Sequence, residues 1–259
     1  MKAKLSKNES LFLDTSVQAD KFLGYDEKRN FINKNLKGKT LMSSTWVLGE
    51  FKAAFIDDAV TLQALLLDSP TIAEGLLRTE KYRDRIHKRM IKLFGNLCTD
   101  GEFDKEAILS RLDILIEYML EARFNMGLSQ PLINHTNCHK ARVYAKRVDQ
   151  SWDFHVRCRK SDKPKCEVEQ FVRKHTQLLK DFVESPLVKG STDNEIKKYQ
   201  TTIEKILSGD IPRGNNCRAL GDVIITLEAP KRTSVFTMNI EHFKITCSVF
   251  KKKLFVGES

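Results

Sequence analysis

Residues 11–16, Leu-Phe-Leu-Asp-Thr-Ser, decide how the rest of the chain is read. Three consecutive large apolar residues halted by Asp14 are the pattern of a strand buried on both faces, whose carboxyl end opens into a loop; a half-exposed strand would alternate. Ser16 then stands where a helix cap is expected. A second extended piece is predicted over residues 40–43. Beyond it Val47, Phe51, Ala54 and Phe55 keep one apolar stripe with Glu50 beside it, which predicts a long helix to about residue 67. The strand pattern returns only near the other end. Asp222 opens a helical apolar segment, VIITLEA (223–229), that Pro230 ends; SVFT (234–237) reads as a second buried strand, His242 and Phe243 lie in a short helix, and KLFV (253–256) reads as a last strand. The terminal strand pieces must share one sheet, because a two-stranded fragment alone is marginal.

Between these ends the pattern is helical: 72–94, 105–124, 138–160, 166–184 and 193–208, punctuated by Pro and Gly-rich breaks. The expected organisation is therefore a core from residues 1–69 and 211–259, with 70–210 as a helical insertion packed on it. The chain has 259 residues, 41% hydrophobic and 30% charged, with only 12 Gly and 6 Pro, a composition that excludes disordered and collagen-like classes. A net charge of +10 favours a polyanionic partner. No apolar run reaches the length of a spanning helix or a signal peptide, so a soluble, cytoplasmic protein without a membrane partner is expected. Six cysteines spread along such a chain suit reduced thiols or metal ligands.

No phosphate-binding glycine loop, zinc-protease motif or nucleophile elbow occurs. The residues that carry chemistry are acidic. Asp14 ends the first strand, Glu50 follows the second extended piece, and Asp222 precedes the SVFT strand. In open α/β sheets functional groups gather beyond the carboxyl ends of the strands. Carboxylates gathered there raise one another's pKa unless a hard divalent cation, Mg2+ or Mn2+, offsets their charge.

The pieces LFLDTS (11–16), SSTWVLGEF (43–51), RALGDVIITLEAP (218–230) and VFTMNIEHF (235–243) resemble the PIN-domain ribonucleases, a family that includes many toxins of bacterial toxin–antitoxin pairs. The resemblance implies an α/β fold of three layers, α/β/α, around a short, mainly parallel sheet, to which residues 70–210 add the helical insertion. It implies that Asp14, Glu50 and Asp222 are catalytic ligands of Mg2+ or Mn2+, and it puts Asn239 where many members carry Asp, supplying a carbonyl oxygen without charge. Thr15 and Thr237 become hydroxyls that orient the carboxylates; as residues alone they read equally as cap and strand-end positions. The implied activity is hydrolysis of RNA phosphodiester bonds by metal-activated water, leaving 5′-phosphate and 3′-hydroxyl ends. RNA is the implied partner, with an antitoxin or another protein as a second. The alternative is a nucleic-acid-binding or scaffolding protein of the same fold, its metal site weakened by Asn239.

Two further patterns lie in the insertion. His135-x-x-Cys138 and His155-x-x-Cys158, with Cys166 following, have zinc-ligand spacing, and Cys158, Cys166, His155 and Cys138 are the candidate set; buried core cysteines are the plain reading. Residues 139–165 carry nine Lys or Arg against three Asp, net +6 of the total +10. Arg157, Arg159 and Lys160, with Trp152 interleaved, are the candidate RNA-binding residues, charge capturing the backbone and the ring stacking on a base; a solvated helix face with its aromatics turned inward is the alternative.

Overall fold

In a computed structural model of the chain, residues 9–98, 104–156, 158, 166–211 and 215–257 are described. The fold is mixed α/β, with six strands among the described residues: β1 (Ser10–Leu13), β2 (Thr40–Met42), β3 (Lys146–Val148), β4 (Ser151–Asp153), β5 (Ser234–Phe236) and β6 (Lys253–Phe255). The chain divides into two compact units, residues 1–49, 127–141 and 157–259, and residues 50–126 and 142–156. The division departs from the expected one: helices beyond residue 166 belong with the sheet, and residues 50–69 belong to the other unit. The cause is pairing of apolar faces. Phe182, on helix Thr176–Glu184, stacks on Phe250 at 5.5 Å between ring centroids, tying the late helices to the chain's last turn of helix.

The first unit is built on a four-stranded sheet in the order β2-β1-β5-β6, parallel throughout. Parallel neighbours need crossovers, which helices Thr15–Leu23 and Asp26–Leu36 supply between β1 and β2, and helix Ile240–Val249 between β5 and β6. Leu11, Phe12 and Leu13 are all fully buried, which is why the central strand is apolar without alternation. Leu11 and Leu13 pack with Val17, Ile32, Leu36, Leu41 and Phe236 in one cluster. Along the outer side of β2 runs the segment that begins after Gly127, whose φ of 84° only glycine adopts readily. Ser129 N–H donates to the Leu41 carbonyl, Ile133 N–H to that of Ser43, and Thr45 N–H to that of Ile133.

The second unit is helical with one hairpin. Within the stretch 138–160, expected as a helix, His139–Arg142 instead form a short 3-10 turn, and residues 146–148 and 151–153 the antiparallel pair β3–β4. Val148 pairs with Ser151 across a two-residue turn in which Asp149 takes φ 55°, the left-handed conformation that such hairpins require and that Asp tolerates. Asp113 gathers this unit's polar groups. It accepts from Gln63 Nε2 at 2.8 Å and Trp152 Nε1 at 2.9 Å, and pairs with Arg147 at 3.1 Å. The expected helices 72–94 and 166–184 are each broken, at Tyr82–Arg83 and at His175, with no Pro or Gly at either break.

Lys52, wholly buried, pairs with Glu121 at 2.7 Å, donates to the Val143 carbonyl at 3.2 Å and lies 4.0 Å from the Tyr144 ring centroid. Burial lowers its pKa and Glu121 works against that shift. Removing the anion leaves a buried cation with weaker compensation. Glu121→Gln is therefore expected to destabilise the fold by about 2 kcal/mol, below the range for wholly buried pairs because Glu121 is 30% exposed, while adding Lys52→Met restores most of that loss. Urea denaturation of the single and double variants checks it, and a Glu121→Gln protein as stable as wild type refutes it.

Candidate functional site

The site grows from the carboxyl ends of β1 and β5. Asp14 N–H donates to the Phe236 carbonyl at 3.0 Å, so pairing of the two strands continues to the acid itself. Asp14 then caps helix Thr15–Leu23, its carboxylate accepting from the backbone N–H groups of Thr15 and Ser16, which a helix start would otherwise leave unpaired. Two hydroxyls converge on Oδ2: Ser16 Oγ at 2.6 Å and Thr237 Oγ1 at 2.8 Å. The same two oxygens accept from the loop after β5, Ser16 Oγ from Met238 N–H and Thr237 Oγ1 from Asn239 N–H, both at 2.9 Å. Thr15 reaches Asp14 through its backbone N–H, and Ser16 adds a hydroxyl that sequence reading did not assign.

Asp222 lies in the first turn of helix Gly221–Glu228. Its Oδ2 accepts from the Tyr199 hydroxyl at 2.6 Å and stands 3.4 Å from His242 Nδ1. Asn239 Nδ2 also approaches His242 Nδ1, at 2.8 Å, and Asp193 Oδ2 lies 3.6 Å from Nε2. A single ring nitrogen cannot accept from Asn239 and donate to Asp222 at once. Where Nδ1 carries no proton, Asn239 donates to it; where Nδ1 is protonated, in the neutral Nδ1–H tautomer or the imidazolium, Nδ1–H turns to Asp222 and the amide must present its oxygen. The hydrogen bond to Asp222 is the main cause raising the His242 pKa, with burial opposing it.

Burial first, and then the negative charge of Asp222, raise the Asp14 pKa, against the two hydroxyls that favour its ionised form. The two acids therefore sit within electrostatic reach of each other. In kind they suit a hard divalent cation: both are oxygen donors, and the mutual repulsion of their ionised forms is what such a cation would relieve. Among the described residues, no three His, Cys, Asp or Glu side chains are gathered closely enough to hold a metal ion as they stand. Glu50, half-buried on helix Thr45–Phe51, is the first residue of the second unit.

The structure brings Asp14, Asp222, Asn239 and Thr237 into one connected region. Tyr199, His242 and Ser16 join it, and sequence reading assigned none of them this role; the H-F that ends VFTMNIEHF is the only signal that touched His242. Of the candidate RNA-binding residues, Arg157, Arg159 and Lys160 lie outside the described residues. Trp152 is corrected: it is 8% exposed, with its indole N–H on Asp113 and Arg147 over its ring at 5.8 Å, so it is a core residue of the hairpin and presents no free face to a base. His155, a candidate zinc ligand, pairs through Nε2 with Asp153 at 3.0 Å in the second unit.

Glu228 is an acid that sequence reading passed over. It is 2% exposed at the end of helix Gly221–Glu228, and neither of its oxygens makes a well-formed hydrogen bond. Burial pushes its pKa up to about 7, against the nearby Ser44 and Thr136. No helix among the described residues is long and apolar enough to cross a membrane. No protein-family profile, curated protein or solved structure matches the chain.

Proposed function

We propose that the chain is a metal-dependent endoribonuclease of PIN type. The observation that carries this reading is the approach of Asp14 and Asp222, from opposite ends of the sequence, beside the carboxyl ends of two paired parallel strands. Ionised carboxylates buried near one another are unfavourable unless a cation joins them. Asp14 and Asp222 are the residues that would hold Mg2+ or Mn2+; Glu50 enters on the sequence resemblance alone. When bound, such an ion supplies Lewis-acid stabilisation of phosphate charge and a more acidic water. The chain's own residues position the acids. Ser16 and Thr237 fix the Asp14 carboxylate, and Tyr199 fixes that of Asp222. The net charge of +10 favours approach of RNA to the molecule as a whole.

The second reading, a binding or scaffolding protein of the same descent, is favoured by one observation: Tyr199 and His242 already engage Asp222 Oδ2, and Asn239 adds no charge. One assay separates the two. Purified protein incubated with RNA and Mn2+ is expected to release fragments with 5′-phosphate ends and to release none in excess EDTA. Binding without cleavage supports the second reading, and cleavage that persists in EDTA overturns the first.

A further inference from the structure

None of the cysteines among the described residues is in a disulfide, and four of the six share one neighbourhood of the first unit. Charge on Cys158 or Cys166 is felt at Cys138, and charge on Cys138, Cys158 or Cys166 is felt at Cys217. These four come from three separate stretches: the 127–141 segment, residues 158 and 166, and helix Asn215–Ala219. Cys98 and Cys247 stand apart, beside Arg111 and Lys252 respectively. Cys138 and Cys217 are buried, Cys166 is half-buried and Cys158 exposed.

The backbone around Cys138 is shaped toward its sulfur. Asn137, just before it, takes φ 42°, in the left-handed region. The Lys140 N–H donates to Cys138 Sγ, and the Lys140 ammonium acts favourably on thiolates at both Cys138 and Cys217. Glu167 N–H donates to the Thr136 carbonyl at 2.9 Å, fastening the chain beside Cys166 to the chain beside Cys138. Gly49 leaves the room: a Cβ there would lie 3.3 Å from Cys138 Sγ and 3.1 Å from Lys140 Cβ. Burial, with the neighbouring thiols adding to it, pushes the Cys138 thiol up to about 12 and holds that of Cys217 well above its ordinary range, while the Lys140 ammonium acts against both shifts. Gathered thiols that resist ionising are relieved when one cation joins them, and four thiolates are the ligand set of a closed tetrahedral zinc site.

We propose that Cys138, Cys158, Cys166 and Cys217 bind one Zn2+ as a structural tetrathiolate centre. As Zn2+ binds, the four thiol protons leave to solvent and the centre carries a net charge of 2−, which Lys140 partly offsets. The sulfurs are not yet at ligating distance from a common point, so closure takes rotation of the cysteine side chains, for which exposed Cys158 and half-buried Cys166 have room. Cys217 takes the place that spacing alone offered to His155. The ion would then join the segment that runs beside β2 to the helix that leads into the one bearing Asp222.

The test uses the full chain expressed with zinc and purified without chelators or immobilised metal. Elemental analysis is expected to give about one zinc per chain, and X-ray absorption at the zinc edge four sulfurs at about 2.3 Å. Cys217→Ser and Cys158→Ser are expected to lower zinc to about a tenth of an equivalent or less, whereas Cys98→Ser, Cys247→Ser and His155→Ala keep it. A wild-type chain that holds no zinc and develops no thiolate-to-cobalt absorption when titrated with Co2+ overturns the proposal; this measurement needs no variant to fold. A mixed sulfur and nitrogen shell, zinc lost with His155→Ala, or iron with acid-labile sulfide in place of zinc overturns it as well.

Discussion

Asp14→Asn is expected to cut Mn2+-dependent RNA cleavage at least about 100-fold, a loss that even the hydrogen-bonding partners of metal ligands can cause, while the protein stays folded. The two halves of this expectation have separate causes. Asn removes the charge that a cation would need, and a neutral amide oxygen is a poor substitute. Yet Asn caps a helix as well as Asp does, so the start of helix Thr15–Leu23 keeps its partner. The ionised form of Asp14 is also unfavourable in the fold, since burial and Asp222 both raise its pKa. Removing that charge should leave the melting temperature at pH 7 no lower than that of wild type. Cleavage assays beside thermal melts of the same preparations check both halves. A variant that cleaves at the wild-type rate places the chemistry elsewhere; one that unfolds shows that the cap and the two hydroxyls need both carboxylate oxygens of Asp14.

Glu228 should make the protein less stable as the solution becomes more basic. In the unfolded chain its carboxyl titrates near 4.5, and in the fold near about 7. The folded state thus holds its proton to higher pH, so this group's contribution declines as pH rises through that window, by about 3 kcal/mol in all. Glu228→Gln keeps the shape and cannot ionise. The stability of the variant relative to wild type is therefore expected to rise by about 3 kcal/mol between pH 4.5 and pH 8, measured by urea denaturation at each pH. A difference that does not change with pH would mean that the buried carboxyl finds partners absent from its surroundings here.

The sheet was legible because its strands are short apolar runs with sharp ends: LFL before Asp14, SVF before Thr237 and KLF near the terminus all became parallel neighbours. The hairpin β3–β4 was not legible. Its turn is Asp149–Gln150, without glycine, and β4 shows its alternation over only three residues, half-buried Ser151, buried Trp152 and exposed Asp153. A basic stretch with scattered aromatics imitates a helix face equally well. The acids of the site were legible from their places at strand and helix ends. Their partners were not, because a tyrosine or histidine in a helix carries no local mark of the carboxylate it meets in space. Tyr199 is reached from a helix that sequence reading assigned to the insertion, and Glu228 closes an apolar helix in which nothing nearby in sequence announces a charge sealed from water.

Asp14 and Thr237, joined by a hydrogen bond, are 223 residues apart in the chain. The central strand therefore cannot gain its second neighbour until residues 234–236 have left the ribosome, and a sheet of such long-range parallel pairs is slow to form even then. During synthesis β1 can pair with β2, which follows it closely, but its other side waits for β5. Under the proposed ribonuclease reading, a nascent chain that has not yet exposed residues 222–237 carries no assembled pair of carboxylates.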